Sequence, residues 1–536
     1  MSISEIFSII GHTSHFPFLL CATAISVVAL WIRYLIYQSK LLRFPIVGKP
    51  DNTNIRPILE EGVAKNESKS GLRLIFAKYP DSPFTIPTTP PIVILPKSVI
   101  NDLKYFTDDK ASFWDELKSR FHSNISGFAT DNKMLTTVVR HDVTRNLASS
   151  LNSVQEETAL SFYRTLGPCE DWTTHNLYSV LTKIVALVSG RVFVGTSLSR
   201  NDKWVDVTVN YTLHLNAAKH AVLGWPEWVV NLIAPYMKQF KAIEKFRSRA
   251  EEFVKPLHDA YFAEESNGKQ ASEKGNEKSG VSWFLDRMKP QDRKDPKMLV
   301  NQLLDLSFVA IHTTSSSIAH AIFDLATYRE YIPILIDEIK AVIAEDSCDT
   351  SPDGILKIGK PTIAKFVKLD SFLKESIRMN PLFLASLIRK LNTDVKFSSG
   401  FTLPKGSHIA VPSWVINIQS PTLHSPGHTK PLNEFDGLRF FKLRQLPGNE
   451  NRHLLVSTSP DSLIFGHGNH ACPGRFFASN EIKIILIELL LKWDFRFLND
   501  VKLEGGKLRR PMNKFMAFEC LPNQEAMLEF RRKKVD

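Results

Sequence analysis

Long apolar stretches mark three parts of the chain, and they predict helices. An uncharged run covers most of residues 16–37, a second apolar run covers residues 301–330, and a third follows Arg475. Runs of this length and polarity are typical of apolar helices. The sequence therefore predicts one helix near the N-terminus and two long helices in the second half of the chain.

Two shorter patterns complete the outline. Residues 81–96 predict strand, turn and strand, because apolar segments lie on either side of a Thr/Pro cluster. Residues 264–280 are poor in apolar side chains and rich in Gly, Ser and charge. This composition predicts a flexible surface loop and not a domain boundary, since apolar helical sequence resumes after it.

The first apolar run has the length of a membrane anchor. Its uncharged core spans residues 16–32, and a membrane-spanning helix needs about 20 mostly apolar residues. A cleaved signal peptide is the alternative, but residues 1–15 contain no Lys or Arg and so lack the basic segment of such a peptide. The positive charges that follow the run favour a cytosolic location for the rest of the chain; they are Arg33, Lys40, Arg43 and Lys49.

Composition excludes some classes of protein. The chain has 536 residues, of which 43% are hydrophobic, and can bury a large core. Its odd number of scattered cysteines argues against a disulfide framework and for a reducing compartment; they are Cys21, Cys169, Cys348, Cys472 and Cys520. The net charge of +11 comes without a nucleic-acid motif, so we expect no nucleic-acid partner.

One cysteine lies in a segment suited to bind a metal, FGHGNHACPGRFFA from Phe465. Gly466 and Gly468 allow a loop to curl around a sulfur, and the helix after Cys472 directs its positive N-terminal dipole toward that sulfur. Gly474 has no side chain to hold a flat ligand away. A lone cysteine is usually a small buried apolar residue, but so many placed neighbours favour a thiolate ligand.

The segment resembles the haem-binding loop of the cytochrome P450 family, F-x-x-G-x-R-x-C-x-G. The residues that carry the resemblance are Phe465, Gly466, Gly468, His470, Cys472 and Gly474. His470 stands where the family usually has Arg, which implies a weaker, titratable partner for a haem propionate. The resemblance implies a mainly α fold with minor β, a haem b cofactor and Cys472 as the axial ligand of its iron.

Two further motifs agree with this resemblance. Glu375 and Arg378 match the family's E-x-x-R helix, and Arg439 in FDGLRF matches the arginine that joins them in a buried, architectural cluster. By themselves, Glu375 and Arg378 would be an ordinary surface ion pair. VAIHTT in the run 301–330 resembles the distal A-G-x-(D/E)-T-T, which implies that Thr313 delivers protons during oxygen activation. His312 replaces the usual acidic residue and is the second candidate catalytic residue.

The remaining site residues are expected propionate partners. His141 and Arg145 have the spacing of the family's W-x-x-x-R helix, with His in place of Trp. Arg389 follows the E-x-x-R helix and aligns with another propionate arginine. Most arginines are simply solvated, which is the alternative for both arginines.

The resemblance also implies the function. No flavin or nicotinamide motif is present, so electrons are expected from a partner, the NADPH-cytochrome P450 reductase. The HTTS and HACPGRFFA variants are similar to fungal enzymes of secondary metabolism that oxidise terpenoids, meroterpenoids or indole diterpenes. We therefore expect a monooxygenase for an apolar small molecule, held in the endoplasmic reticulum membrane by a single span. The expected divisions are a lumenal N-terminus (1–15), an anchor (16–37), a linker (38–50) and a cytosolic haem-thiolate catalytic domain (51–536).

Two alternatives remain open at this point. A haem-thiolate isomerase or lyase would rearrange a peroxide without external electrons, and would not need Thr313. A non-catalytic haem sensor or membrane scaffold would need Cys472 but not Thr313.

Overall fold

The computed structural model describes residues 79–534 except 87–89, 131, 267–277, 353, 499–507 and 517. It also describes Phe44, Pro45 and several residues between Cys21 and Ile32, which are helical and exposed. Most of the predicted anchor (16–37) and of the linker (38–50) therefore lies outside the described residues.

Helices dominate the described chain, which confirms the predicted mainly α fold with minor β. The α-helices are α1 (Ile100–Lys104), α2 (Phe113–Phe121), α3 (Ser123–Ser126), α4 (Asn132–Thr137), α5 (Leu147–Leu166), α6 (Leu177–Ser199), α7 (Asp202–Ala221), α8 (Glu227–Ile233), α9 (Lys238–Ser266), α10 (Gly280–Arg287), α11 (Pro296–Thr327), α12 (Tyr331–Glu345), α13 (Lys360–Lys365), α14 (Val367–Met379), α15 (Ser413–Gln419), α16 (Arg439–Arg444) and α17 (Arg475–Lys492). A π-helical segment, Val138–Val143, continues α4.

The strands form small sheets at the edge of the helical core. They are β1 (Phe84–Ile86), β2 (Ile92–Ile94), β3 (Ala111–Ser112), β4 (Thr173–Asn176), β5 (Ser386–Leu391), β6 (Val395–Lys396), β7 (Thr402–Leu403), β8 (His408–Val411), β9 (Trp493–Phe497), β10 (Lys514–Met516), β11 (Glu519–Leu521) and β12 (Met527–Arg532). The largest sheet has the order β1-β2-β8-β5-β3, and another has the order β4-β12-β9. Strands β1 and β2 pair antiparallel, as the 81–96 pattern predicted.

Helix α11 is the central element of the core. Asp295 caps it, because its side chain accepts a hydrogen bond of 2.9 Å from the Lys297 amide, and Pro296 occupies the first turn, where no amide donor is needed. The helix packs against α6, α7, α9, α14 and α17. It stays continuous through its Thr/Ser cluster, where the hydroxyl of Ser317 donates to Thr313 O (2.9 Å), one turn earlier in the same helix.

Two predicted features bear on membranes and loops. Among the described residues, Leu177–Ser199 is the one helix long and apolar enough to cross a membrane. It is a core helix here, since 83% of its most apolar window is buried in the protein. The predicted 264–280 loop separates α9, which ends at Ser266, from α10, which begins at Gly280; residues 267–277 lie outside the described chain.

Candidate active site

The cysteine loop forms a tight turn before α17. The Cys472 amide donates a hydrogen bond of 2.8 Å to Phe465 O, which closes the loop on itself. Gly466 and Gly468 have φ values of 68° and 75°, in the left-handed region that glycine adopts at little cost. At Gly468 a Cβ would lie only 2.4 Å from Lys104 O, so the loop packs closely on the end of α1.

Opposing effects act on the Cys472 sulfur. Burial raises the pKa of the thiol, because the charged form loses solvation. The amides of Gly474 and Arg475 donate hydrogen bonds to the sulfur, and these bonds and the Arg475 charge lower its pKa. Both amides lie at the start of α17, where helix geometry leaves them without intrahelical partners. A sulfur in this setting is suited to bind a metal cation as a thiolate.

The three predicted architectural residues meet in one buried cluster. Arg378 donates from Nε and Nη2 to the two oxygens of Glu375, at 2.7 and 2.8 Å. Arg439 Nε lies 3.1 Å from both of these oxygens. All three side chains are at most 1% exposed. The spare donors of both guanidinium groups go to backbone carbonyls, among them Lys430 O and Leu432 O.

Basic side chains converge near the cysteine loop. Arg389 is only 5% exposed, and burial lowers its pKa to about 10. Its Nη1 donates a hydrogen bond to the neighbouring Ile388 O (2.7 Å), and no described carboxylate forms an ion pair with it. Burial also lowers the pKa of His470, and the charges of Arg389 and Arg140 lower it further. The His470 Nε2 lies 3.1 Å from Phe106 O.

The predicted His141 and Arg145 make no hydrogen bond to the cysteine loop within the described chain. Arg145 is exposed and His141 is half-buried. Arg140 does reach the loop, since its Nη2 donates to Asn469 O at 3.3 Å. Arg140 and His141 lie in the π-helical segment 138–143.

On α11, Thr313 and His312 make different contacts. The Thr313 hydroxyl donates to Val309 O at 2.7 Å, one turn earlier in the helix. His312 Nδ1 is 2.8 Å from the hydroxyl of Tyr178, which lies in the first turn of α6. Burial lowers the pKa of His312 to about 4, so its imidazole is neutral at physiological pH.

The sequence analysis did not predict four polar residues: Tyr178, Lys219 and Glu519 near His312, and Arg140 beside the cysteine loop. Tyr178, Lys219 and Glu519 come from distant parts of the chain, and the charges of Lys219 and Glu519 both affect the pKa of His312. No short motif links them, because α6, α7 and β11 meet only in the folded chain. Arg140 had a local signal, a basic residue after two buried valines, but its role depends on the π-helical turn.

The residues present fit a haem group. A porphyrin iron needs one axial ligand, and the Cys472 sulfur has the amide donors that support a thiolate. Haem propionates need cations, and Arg389 is a buried cation that the charges of Asp108 and Glu116 influence but with which no described carboxylate forms an ion pair.

Comparison with known proteins agrees with this geometry. The cytochrome P450 family model matches residues 89–511. The cytochrome P450 monooxygenase ascG of Acremonium egyptiacum is 37% identical over 527 residues, which cover 97% of this chain and 96% of the relative. The cytochrome P450 monooxygenase BOA7 of Botryotinia fuckeliana is 36% identical, covering 94% and 91%.

A solved structure shows the same fold. Retinoic acid-bound cyanobacterial CYP120A1 superposes with a TM-score of 0.57 at 16% identity, covering 84% of this chain and 92% of that one. The family match extends over most of the chain and includes the cysteine loop, α11 and the Glu375 cluster. The chain therefore belongs to the cytochrome P450 family and is a haem-thiolate monooxygenase, an oxidoreductase that acts on a small molecule with electrons from a redox partner.

Proposed function

We propose that this monooxygenase binds haem b through Cys472 and oxidises an apolar terpenoid, meroterpenoid or indole diterpene in fungal secondary metabolism. The amide donors around the Cys472 sulfur are the observation that carries the haem assignment. The fungal relatives and the HTTS and HACPGRFFA variants support the substrate class. Electrons come from the NADPH-cytochrome P450 reductase, because the chain has no flavin or nicotinamide motif of its own.

The protein supplies binding and orientation for the cofactor. When bound, haem with a thiolate ligand supplies the activation of dioxygen and the insertion of one oxygen atom into a carbon–hydrogen bond. Arg389, Arg140 and His470 are the residues we assign to the propionates, since they converge at the cysteine loop. Gly466, Gly474 and Phe465 shape the loop, and His141 and Arg145 are further propionate candidates on the segment that contains Arg140.

Thr313 is the residue we assign to proton delivery. Because its hydroxyl donates to Val309 O, its oxygen keeps lone pairs that can accept a hydrogen bond from a water molecule. His312 takes part as a neutral imidazole, with Tyr178 bonded to Nδ1 and Nε2 left to pass a proton. Thr313 stands at the family's threonine position, and His312 stands where the family usually has an acidic residue.

The membrane assignment rests on one apolar stretch of sequence and on a group of exposed apolar side chains. Residues 16–37 form the proposed single span in the endoplasmic reticulum membrane, with 1–15 lumenal, 38–50 a linker and the catalytic domain (51–536) cytosolic. On α8 and just after it, Trp228, Leu232 and Tyr236 are 61%, 66% and 76% exposed. Aromatic side chains of this kind are enriched at membrane interfaces.

The test uses the full-length protein with its reductase, NADPH and a panel of terpenoid scaffolds. For Thr313→Ala we expect product formed per NADPH to fall about 100-fold, the lower end of the range for acid–base groups, while hydrogen peroxide release rises. Thr327→Ala is the matched control, since Thr327 makes the same bond to Phe323 O (2.6 Å) further along α11. Equal coupling in the two variants would contradict the role of Thr313.

A second variant tests the ligand. Cys472→Ser is expected to lose the thiolate signature of the ferrous carbon monoxide complex, because a hydroxyl is a much weaker anionic ligand than a thiol. A thiolate signature that persists in this variant would overturn the proposed function.

A further inference from the structure

A buried ion pair joins two elements far apart in the sequence. Lys219, in the last turn of α7, donates from Nζ to Oε1 of Glu519 at the start of β11. His220 Nε2 lies 3.6 Å from the other oxygen, Oε2. Neither residue belongs to a family motif in this sequence, and no role described so far requires them.

The surroundings place this pair beside the distal helix. The ammonium group of Lys219 lies 5.2 Å from the centre of the Phe121 ring, and that ring lies 5.5 Å from the ring of Phe308 on α11. Phe308 is just over one turn before Thr313. The aromatic rings therefore connect the ion pair with the part of α11 that carries Thr313.

The opposite side of the pair borders the segment after α14. Glu519 forms a β-bridge with Phe383, and the Leu384 amide donates to Phe518 O at 2.7 Å. This segment continues directly into β5, which carries Arg389. The pair thus lies between α7, α11 and the chain that leads to a propionate residue.

The two side chains are only partly accessible to solvent. Lys219 and Glu519 are 12% and 17% accessible, so a water-sized sphere can reach them. Burial lowers the pKa of Lys219, because the charged form loses solvation. The pair is therefore partly desolvated but can still be reached by a small polar group.

The chemistry of the pair selects one kind of polar group. An ammonium group offers three donors, of which Lys219 gives one to Glu519, and a carboxylate only accepts. A carboxylate ligand would be repelled by Glu519, and an ammonium ligand by Lys219. A hydroxyl donates to one partner and accepts from the other without changing the net charge.

We propose that Lys219 and Glu519 bind a hydroxyl group, an alcohol or a phenol, at the end of the apolar substrate that is remote from the oxidised carbon. This inference rests on the proposed function, because it assigns the substrate of the same site. His220 supports Glu519 from its second oxygen.

The experiment compares two probes that differ only in this group. Dodecan-1-ol and its methyl ether are titrated into the full-length holoenzyme, and the change in the haem absorption spectrum gives the dissociation constants. We expect the alcohol to bind about 10- to 100-fold more tightly than the ether, as for a hydrogen bond to a charged group. Lys219→Met and Glu519→Gln should each reduce this preference to less than about threefold, since one charged partner is lost.

The control is Lys365→Met. Lys365 also forms ion pairs with carboxylates, Glu345 (2.6 Å) and Asp346, but on the outer surface. This variant should keep the full preference for the alcohol. Glu519→Gln has nearly the shape of the natural side chain, so it remains informative if Lys219→Met does not fold.

Several outcomes would overturn the inference. Equal binding of alcohol and ether by the natural protein, no binding of the alcohol, or tightest binding of dodecanoate would each exclude a hydroxyl site. An equal loss of affinity for both probes in the variants would show that the pair only holds α7 to β11. Absence of the thiolate signature in the natural protein is a different result, which would overturn the proposed function and this inference with it.

Discussion

Glu375 and Glu519 both form ion pairs with basic side chains, but the two glutamates differ in burial and in the number of their partners. Glu375 is fully buried and receives hydrogen bonds from two arginines and from the Asp436 amide (2.9 Å). Glu519 is 17% accessible and has one lysine and one distant histidine as partners. The oxygens of Glu375 have no free lone pair left for a ligand, whereas Glu519 and Lys219 can still form hydrogen bonds with one.

The comparison separates architecture from recognition. A guanidinium group has five donors in a fixed plane, so Arg378 and Arg439 can bind Glu375 and several backbone carbonyls together. An ammonium group on a flexible stem is less restricted, which suits a site that exchanges ligands. We infer that the Glu375 cluster fixes the chain around the cysteine loop, while Lys219 and Glu519 determine which substrates bind.

Glu375→Gln tests the glutamate whose oxygens are fully bonded, and it should have the largest effect on stability. The substitution leaves Arg378 and Arg439 buried without an opposite charge, so we expect a loss of about 3–5 kcal/mol in the free energy of unfolding. Thermal unfolding and the amount of retained haem measure this loss. Glu345→Gln, which breaks an exposed pair with Lys365, is the control and should have almost no effect. Similar stability of the two variants would end the distinction drawn here.

Arg389→Met tests a buried cation that lacks a described carboxylate partner. Removing this desolvated charge should leave the haem-free protein as stable as before or more stable, while haem affinity falls by about 1.5–3 kcal/mol, the contribution of a charged hydrogen bond. Haem transfer to an acceptor protein and thermal unfolding of the haem-free form provide the two measurements. A variant that loses stability but keeps its haem affinity would assign Arg389 to the architecture.

Asp305→Asn tests a carboxylate that is buried on the distal side, on α11. Burial raises its pKa from 3.8 to about 7, more than the Ala129 amide and the Arg247 charge lower it. Between these values the unfolded chain releases the proton while the folded protein keeps it, so this group makes the natural protein less stable as pH rises. Asp305→Asn removes the ionisable group, so the variant does not lose this stability as pH rises.

The measurement is the free energy of unfolding across that pH window. Relative to the natural protein, Asp305→Asn should gain more than about 1.4 kcal/mol from low to high pH, the value of one pKa unit. Asp337→Asn, at an exposed position, should follow the natural protein. Parallel pH curves for Asp305→Asn and the natural protein would contradict the raised pKa.

Short motifs pointed to the residues of the cysteine loop and of the Glu375 cluster. The cysteine loop, the helix after it and the cluster of Glu375, Arg378 and Arg439 were all predicted, because neighbours in sequence supply most of their contacts. The propionate partners His141 and Arg145 stay predictions. Arg140 was not predicted, although its Nη2 contacts the loop at Asn469 O. It lies in a π-helical segment, and a spacing rule written for a regular helix does not include such a turn.

The sequence by itself determined the family and predicted the sulfur ligand and the distal threonine, since each depends on residues held at fixed local spacing. Only the tertiary structure decided that Tyr178 reaches His312 and that Lys219 reaches Glu519. These partners are 134 and 300 residues apart, and no local pattern records their contact. Packing of α6, α7 and β11 around α11 brings them together, because their apolar faces are buried against one core and their polar side chains must then bond to one another.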